Sequence, residues 1–363
     1  MEKNYLLDKN FIEKHLNAVE LKSGDKRVLL SPALQGRVVT SSATGDSGYS
    51  FGWINYKLIE SGKFLPHCNN FGGEDRFWLG PEGGQFSLFF PKGTDYSFDD
   101  WQTPAAIDTQ AWDLVSNSDS EANFIKKTDF LNTSGNTLSV ELNRKVSLVT
   151  KEEVEQLIGR KIEDSVEFVA FKSENSITNC GENEWNKESG MPSIWILGQF
   201  ISSDKNSIII PTKESETEQL NDSYFGKIDD DRLSISEGVV EFKGDGKKRG
   251  KIGVPPSMTI PVCGAIDREN DTLTVVKFSF DENNSCYVNS MWQHQDEPFK
   301  GDVINSYNDG PLEDGTIMGP FYELETSSPA ANLKPTETLS HTSVTIHFKG
   351  EIEALEAMLT LFK

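Results

Sequence analysis

The feature that most constrains this chain is the recurrence of short runs rich in Val, Ile, Thr and Phe, each closed off by clusters of Gly, Asn, Asp and Ser. Such runs occupy residues 27–30, 37–41, 86–90, 138–149, 166–171, 193–200, 207–211, 239–242, 272–280 and 340–348. β-Branched and aromatic side chains suit a pleated, half-buried surface, and the residues between them supply turns. The spacing predicts an all-β fold, a large antiparallel β-sandwich with short helices. Helical periodicity is confined to two stretches. In 10–16, Asn10 and Glu13 give a capping pattern with Phe11, Ile12 and Leu16 on one side. In 150–158, Thr150 and Glu153 give a capping box ahead of Val154, Leu157 and Ile158. No Pro- or Ser-rich linker interrupts the chain, and 212–222 and 296–315 read as long polar loops, so a single domain over 1–363 is expected.

Charge narrows the partners. With 35 basic against 57 acidic residues the net charge is -22, which disfavours nucleic acid and anionic membrane surfaces. Apolar runs such as 208–210 fall far short of the roughly 20 residues of a membrane helix, so no membrane-spanning segment is expected. The first residues, MEKNYLLDKN, lack the apolar region of a secretory signal, and the compartment stays open. Cys68, Cys180, Cys263 and Cys286 are widely separated, and neither they nor His67, His294, Asp296 and Glu297 have metal-site spacing. Asp229 to Asp231 lacks the ligand pattern of a calcium loop, and no phosphate loop is present. No cofactor and no metal is therefore expected, although a calcium ion on loop carboxylates stays open from the acidic balance alone. Lys247, Lys248, Arg249 and Lys251 read as a charged hairpin tip.

Chemistry concentrates in two places. Within 319–348, an extended strand puts Phe321, Glu323 and Glu325 on one face and Tyr322 and Leu324 on the other. Two carboxylates on a partly buried face hinder each other's ionisation, which keeps one available as an acid or base. The alternative is a solvated strand face. Within 67–84, the turn at Gly72-Gly73 delivers Arg76 and Trp78 on a common face. Arginine offers fixed donors for hydroxyl or carboxylate oxygens, and indole offers a plate for the C–H face of a pyranose. A mono- or oligosaccharide is the expected partner. The competing reading makes Trp78 a core anchor and pairs Arg76 with Glu74 or Glu82.

The closing segment resembles the C-terminal signature of the galactose mutarotase (aldose 1-epimerase) superfamily. The matching residues are Leu324-Glu325-Thr326, Ser328-Pro329, Leu333, Pro335 and Glu337, then a last strand bearing Thr342, Val344, Ile346 and Phe348; Thr336 stands where that superfamily usually has Gly. The run from His67 to Gly84 resembles its Asn-x-x-His-Gly-Gly region, with Phe71 at the His position. It is more similar still to bacterial members carrying Phe-Gly-Gly-x-Asp/Arg-x-Trp-x-x-Pro-Glu. Leu34-Gln-Gly-Arg37-Val-Val resembles an early Gly-Arg strand of the same relatives. The resemblance implies a galactose mutarotase-like supersandwich with a sugar on its concave face. It also implies Glu325 as general base, Glu323 as its modulator, and Arg37, His67, Arg76, Trp78, Glu82 and Trp292 in contact with the sugar.

In mutarotation a carboxylate takes the proton of the anomeric hydroxyl while an imidazolium protonates the ring oxygen. Relatives supply the imidazolium from an Asn-His segment, but 175–185 contains no histidine here. Of the five histidines, His15 lies on the N-terminal helix. His341 and His347 are about 20 Å apart along one strand, too far to act together. His67 and His294 are left, the latter sharing a face with Trp292, and His294 is the candidate acid; Tyr322 or Arg76 is an alternative electrophile. An aldose 1-epimerase-type isomerase and a non-catalytic sugar-binding protein or accessory unit of glycan degradation both stand.

Overall fold

The computed structural model describes residues 4–215, 218–312 and 315–362. Strands β1 (Val19–Ser23), β2 (Lys26–Ser31) and β3 (Arg37–Ser42) form one small sheet. There follow β4 (Arg76–Gly80), β5 (Asp113–Asn117), β6 (Glu121–Leu131), β7 (Thr137–Leu148), β8 (Glu167–Asn179), β9 (Ser193–Ile201), β10 (Asn206–Pro211), β11 (Leu233–Ser236) and β12 (Val239–Lys243). The last six are β13 (Gly250–Val254), β14 (Val262–Asp267), β15 (Thr272–Phe278), β16 (Ile304–Asn308), β17 (Phe321–Ser327) and β18 (Thr338–Lys349). They build a ten-stranded sheet, β11-β12-β10-β14-β15-β18-β8-β7-β6-β5, and a five-stranded sheet, β13-β16-β17-β9-β4. The expected antiparallel β-sandwich is thus present.

Alternation along the strands explains the layering. Phe124, Leu142 and Phe171 of the large sheet meet Phe77, Leu79 and Ile194 of the five-stranded sheet in one core. Phe242, Cys263 and Val276 meet Ile252, Ile304, Tyr322 and Leu324 in a second. On its other face the large sheet, through Ile346 and Phe348, packs on a short helix (Lys151–Ile158) and the C-terminal helical turns. That helix matches the sequence reading: Thr150 and Glu153 form the capping box, and Gly159 closes it at φ 70°. The first helix does not match, because it runs Tyr5–His15 and its cap is Asn4, whose side chain accepts from the Leu7 amide at 3.0 Å. Asn10 and Glu13 lie inside it. No helix among the described residues is long and apolar enough to cross a membrane.

Two further expectations need correction. Residues 86–90 are not a strand, because the hydroxyl of Thr133 binds the Ser87 and Phe90 carbonyls and the Ser87 hydroxyl binds the Phe89 amide, leaving no ladder to join. The loop read over 296–315 contains β16, whose polar sequence Ile-Asn-Ser-Tyr-Asn hid a strand buried along its length. Thr336, at the position where the resembling superfamily has Gly, holds a left-handed backbone, with φ 73°, on an exposed turn where its amide donates to the Asn179 carbonyl at 2.8 Å. A β-branched residue there is strained by roughly 1–2 kcal/mol. Thr336→Gly is therefore expected to stabilise the protein by about 1 kcal/mol in denaturant unfolding, since it relieves the strain and keeps the hydrogen bond. A destabilised variant would show the turn to be relaxed.

Candidate functional site

The concave face of the five-stranded sheet is written in cross-strand rows. Trp78 pairs with Trp195 across β4 and β9. Two rows further along the same face, past the row of Arg76, Leu197 and Glu325, the residues Gln199, Glu323, Tyr307 and Lys251 follow one another across β9, β17, β16 and β13. Opposed residues in a sheet share a face, so these side chains converge on one cavity of about 120 Å³. Its wall carries eight aromatic side chains: Trp78, Phe98, Trp101, Trp195, Phe225, Trp292, Tyr307 and Phe321. Trp101 stacks on Trp292 at 5.5 Å and on Phe89 at 6.1 Å. The segment misread as a strand is thus the bed of the aromatic wall.

How β4 reaches this face explains the Gly-Gly turn. Gly72 and Gly73 have φ 92° and 109°, and a Cβ on Gly73 would lie 2.7 Å from the Arg37 side chain. The chain then runs through three consecutive charged residues, Glu74, Asp75 and Arg76, which are only 1%, 1% and 4% exposed. Each has its own partner: Glu74 binds His347 Nε2 at 3.0 Å, Asp75 binds Arg144, and Arg76 binds Glu323 at 3.0 Å. Pairing of Arg76 with Glu74 or Glu82 is therefore corrected.

The two carboxylates differ. Glu323 lines the cavity and accepts from Arg76 Nη2 at 3.0 Å and Gln199 Nε2 at 2.9 Å. Burial lifts its pKa to about 7; the Arg76 guanidinium opposes the rise and Glu325 adds to it. Glu325 has no exposed surface, and one of its oxygens accepts from both Lys251 Nζ and Trp195 Nε1 at 2.9 Å. Burial alone would discharge Lys251, but the fields of Glu325, Glu82 and Glu323 raise its pKa. Glu325 can meet a ligand only if Lys251 or Trp195 moves.

Of the predicted contacts, Arg76, Trp78, Glu82, Trp292 and Glu323 line the cavity, and the Arg76 guanidinium sits 4.1 Å over the Trp78 ring. Burial raises the Glu82 pKa. Arg37 is not at the wall: it is buried and donates to the Gly72 carbonyl at 2.9 Å, fixing the turn. Burial and the nearby Arg76 pull its pKa down to about 9. His67 also stands behind the wall, where Nδ1 donates to the Trp101 carbonyl at 2.7 Å. His294 is exposed and does not line the cavity as Trp292 does, so the candidate acid does not join the carboxylates. No described residue of the lining is a histidine. Phe71, at the mutarotase His position, is core. His341 bridges Thr326 and Ser279 behind β17, and burial lowers its pKa to about 3.

Sequence reasoning missed Trp195, Gln199, Arg249, Lys251 and Tyr307. A single polar residue, Gln199, inside the apolar run of β9 was the available signal. The basic hairpin tip needs division. Lys247 and Lys248 do pair at the surface with Asp204 and Asp229, whereas Arg249 and Lys251 turn into the cavity. A larger groove of about 630 Å³ lies by Lys26, Lys151, Asp164 and Glu167, but its charges pair with one another at its edge.

Solved structures share this architecture. The Slr1438 protein from Synechocystis sp. PCC 6803 superimposes with a TM-score of 0.57 at 13% identity, over 93% of this chain and 96% of its own. A candidate aldose 1-epimerase from Escherichia coli K12 gives 0.51 at 10% identity, over 93% and 100%. A galactose mutarotase related enzyme from Lactobacillus acidophilus gives 0.50 at 8%, over 92% and 97%. At such identities the likeness establishes the fold, which is galactose mutarotase-like, as the closing motif implied. No protein with a curated description matches the sequence. Residues 3–362 match, almost end to end, the family described as Family of unknown function (DUF6786), and the chain belongs to that family.

Proposed function

We propose that the cavity binds one unit of a carbohydrate. The observation that carries this reading is the convergence, on one sheet face, of indole plates with fixed polar groups: Trp78, Trp195, Trp101 and Trp292 beside Arg76, Gln199, Glu323 and Lys251. Aromatic faces match the C–H surface of a sugar ring, and the polar groups match its hydroxyls. Asn70 Nδ2, Arg76 Nε and Gln199 Oε1 have no protein partner, so the wall retains hydrogen-bonding capacity that a polyol would use. The volume admits one ring, and the exposed Phe98 and Phe225 at the mouth offer surfaces for a following unit.

Turnover of the aldose 1-epimerase type is the second reading, and the near-neutral Glu323 favours it. In that case Glu323 meets the anomeric hydroxyl and the Lys251 and Arg76 cations face the ring oxygen, while Glu325 holds Lys251 in place. Two-dimensional exchange NMR on aldoses separates the readings. Exchange faster than in buffer and abolished by Glu323→Gln establishes turnover; binding without acceleration leaves recognition alone. A panel of sugars that neither binds nor exchanges would sink both.

Glu323 also sets a pH dependence. Because its folded pKa lies above the ordinary carboxyl value, the protonated form is the one favoured by the fold, and its contribution to stability is lost as pH rises through about 7. A neutral sugar covering the carboxyl removes more water and favours the protonated form further. Affinity for neutral sugars, measured by calorimetry, is expected to fall between pH 6 and pH 8 in the wild type and to stay level in Glu323→Gln. Equal pH profiles would show that Glu323 does not face the ligand.

A further inference from the structure

Three cations line the cavity, and two are answered. Arg76 is paired with Glu323 at 3.0 Å and Lys251 with Glu325 at 2.9 Å. Arg249 has no such partner: among the described residues it makes no ion pair and no side-chain hydrogen bond, and its Nε is buried without a partner. Asp309, beside it, already accepts from the Tyr307 hydroxyl and the Gly319 amide, each at 2.8 Å. The guanidinium is nevertheless held in place, 3.8 Å over the Phe225 ring and 6.0 Å from the Tyr307 ring. Stacking on a ring face fixes the plane of the fork and leaves its N–H edge free. An unanswered, oriented cation in a chain of net charge -22 is a recognition element for an anion.

We propose that Arg249 is an anion subsite at the cavity mouth, so that the sugar taken there bears a carboxylate or phosphate group. The proposal rests on the carbohydrate reading and narrows it: the ring sits among the indoles, and its acidic substituent receives the Arg249 fork. Neighbouring Glu82 also lines the cavity, where burial raises its pKa and Lys251 and Arg249 oppose the rise, but it makes no ion pair with Arg249 among the described residues.

Calorimetric titration of the whole chain at pH 7 tests it, with glucuronate, galacturonate and glucose 6-phosphate as acidic probes and glucose and galactose as neutral ones. At least one acidic probe is expected to bind roughly tenfold or more tighter than its neutral counterpart, an advantage that shrinks with added salt. Arg249→Gln is expected to remove that advantage, weakening acidic probes far more than neutral ones, and Arg249→Lys, which keeps charge without the fork, to restore only part of it. Preference for the uronates assigns a carboxylate, and preference for the phosphate assigns a phosphoryl group. Neutral sugars binding as well as acidic ones, or an Arg249→Gln variant with an unchanged preference, overturns the subsite while sparing the carbohydrate reading. Failure of every sugar to bind overturns both.

Discussion

Replacing Arg144 by methionine is expected to remove about 3–5 kcal/mol of folding stability, the cost of stranding a buried ionic partner. Arg144 is fully buried on β7, in the large sheet. It donates to the Gly36 carbonyl at 2.9 Å, to Asn175 Oδ1 at 2.7 Å and to both the carbonyl, at 3.1 Å, and the carboxylate of Asp75. Asp75 also accepts from the Ser173 hydroxyl at 2.8 Å. One side chain therefore fastens the entry to β4 onto the opposite sheet, and Arg76 leaves that anchor directly for the cavity. Urea unfolding of Arg144→Met and of a double variant that also carries Asp75→Leu measures the effect. The double variant is expected to recover part of the loss, because no charge is then left alone. A loss below about 1 kcal/mol in the single variant would show the pair to be dispensable.

The second large effect is expected at Lys251. Lys251→Met leaves Glu325 buried without its cation, and a deficit of about 3–5 kcal/mol is expected at pH 8. Adding Glu325→Leu to Lys251→Met should recover most of the stability, since an apolar pair of similar volume replaces the ions. Sugar binding gives a separate readout. If Lys251 faces the ligand, the double variant regains stability without regaining affinity, and recovery of both would exclude Lys251 from the site.

These two residues also show where sequence reading reached its limit. Arg76, Trp78 and the Glu323–Glu325 pair were legible because each lies within a few residues of a turn or motif that dictates strand and face. Lys251 and Arg249 were not, because what brings β13 and the residues at its start to the cavity is strand order. β13 lies beside β16, which lies beside β17, and nothing local to 247–251 specifies those neighbours. The run Glu74-Asp75-Arg76 misleads in the same way: adjacent opposite charges invite local pairing, yet the bend at Glu74 and the start of β4 at Arg76 send them to separate partners, His347, Arg144 and Glu323. The fold was more legible than the site because burial alternation is local, whereas partners of buried charges are not. Strands such as β16, polar in composition and buried in fact, were missed for that reason too.

The alternation within β17 has a consequence for how this site can change over generations. Phe321 and Glu323 face the cavity, Glu325 on the same side of the strand meets Lys251, and Tyr322 and Leu324 fill the apolar core behind. Adding or deleting one residue between 321 and 325 would exchange the two sets, sending carboxylates into the core and stranding Arg76 and Lys251 together. Substitution can tune this strand one position at a time, but a change in its length alters every contact at once. Descendants of this chain are free to acquire a new ligand preference here by replacement, and barred from acquiring one by insertion.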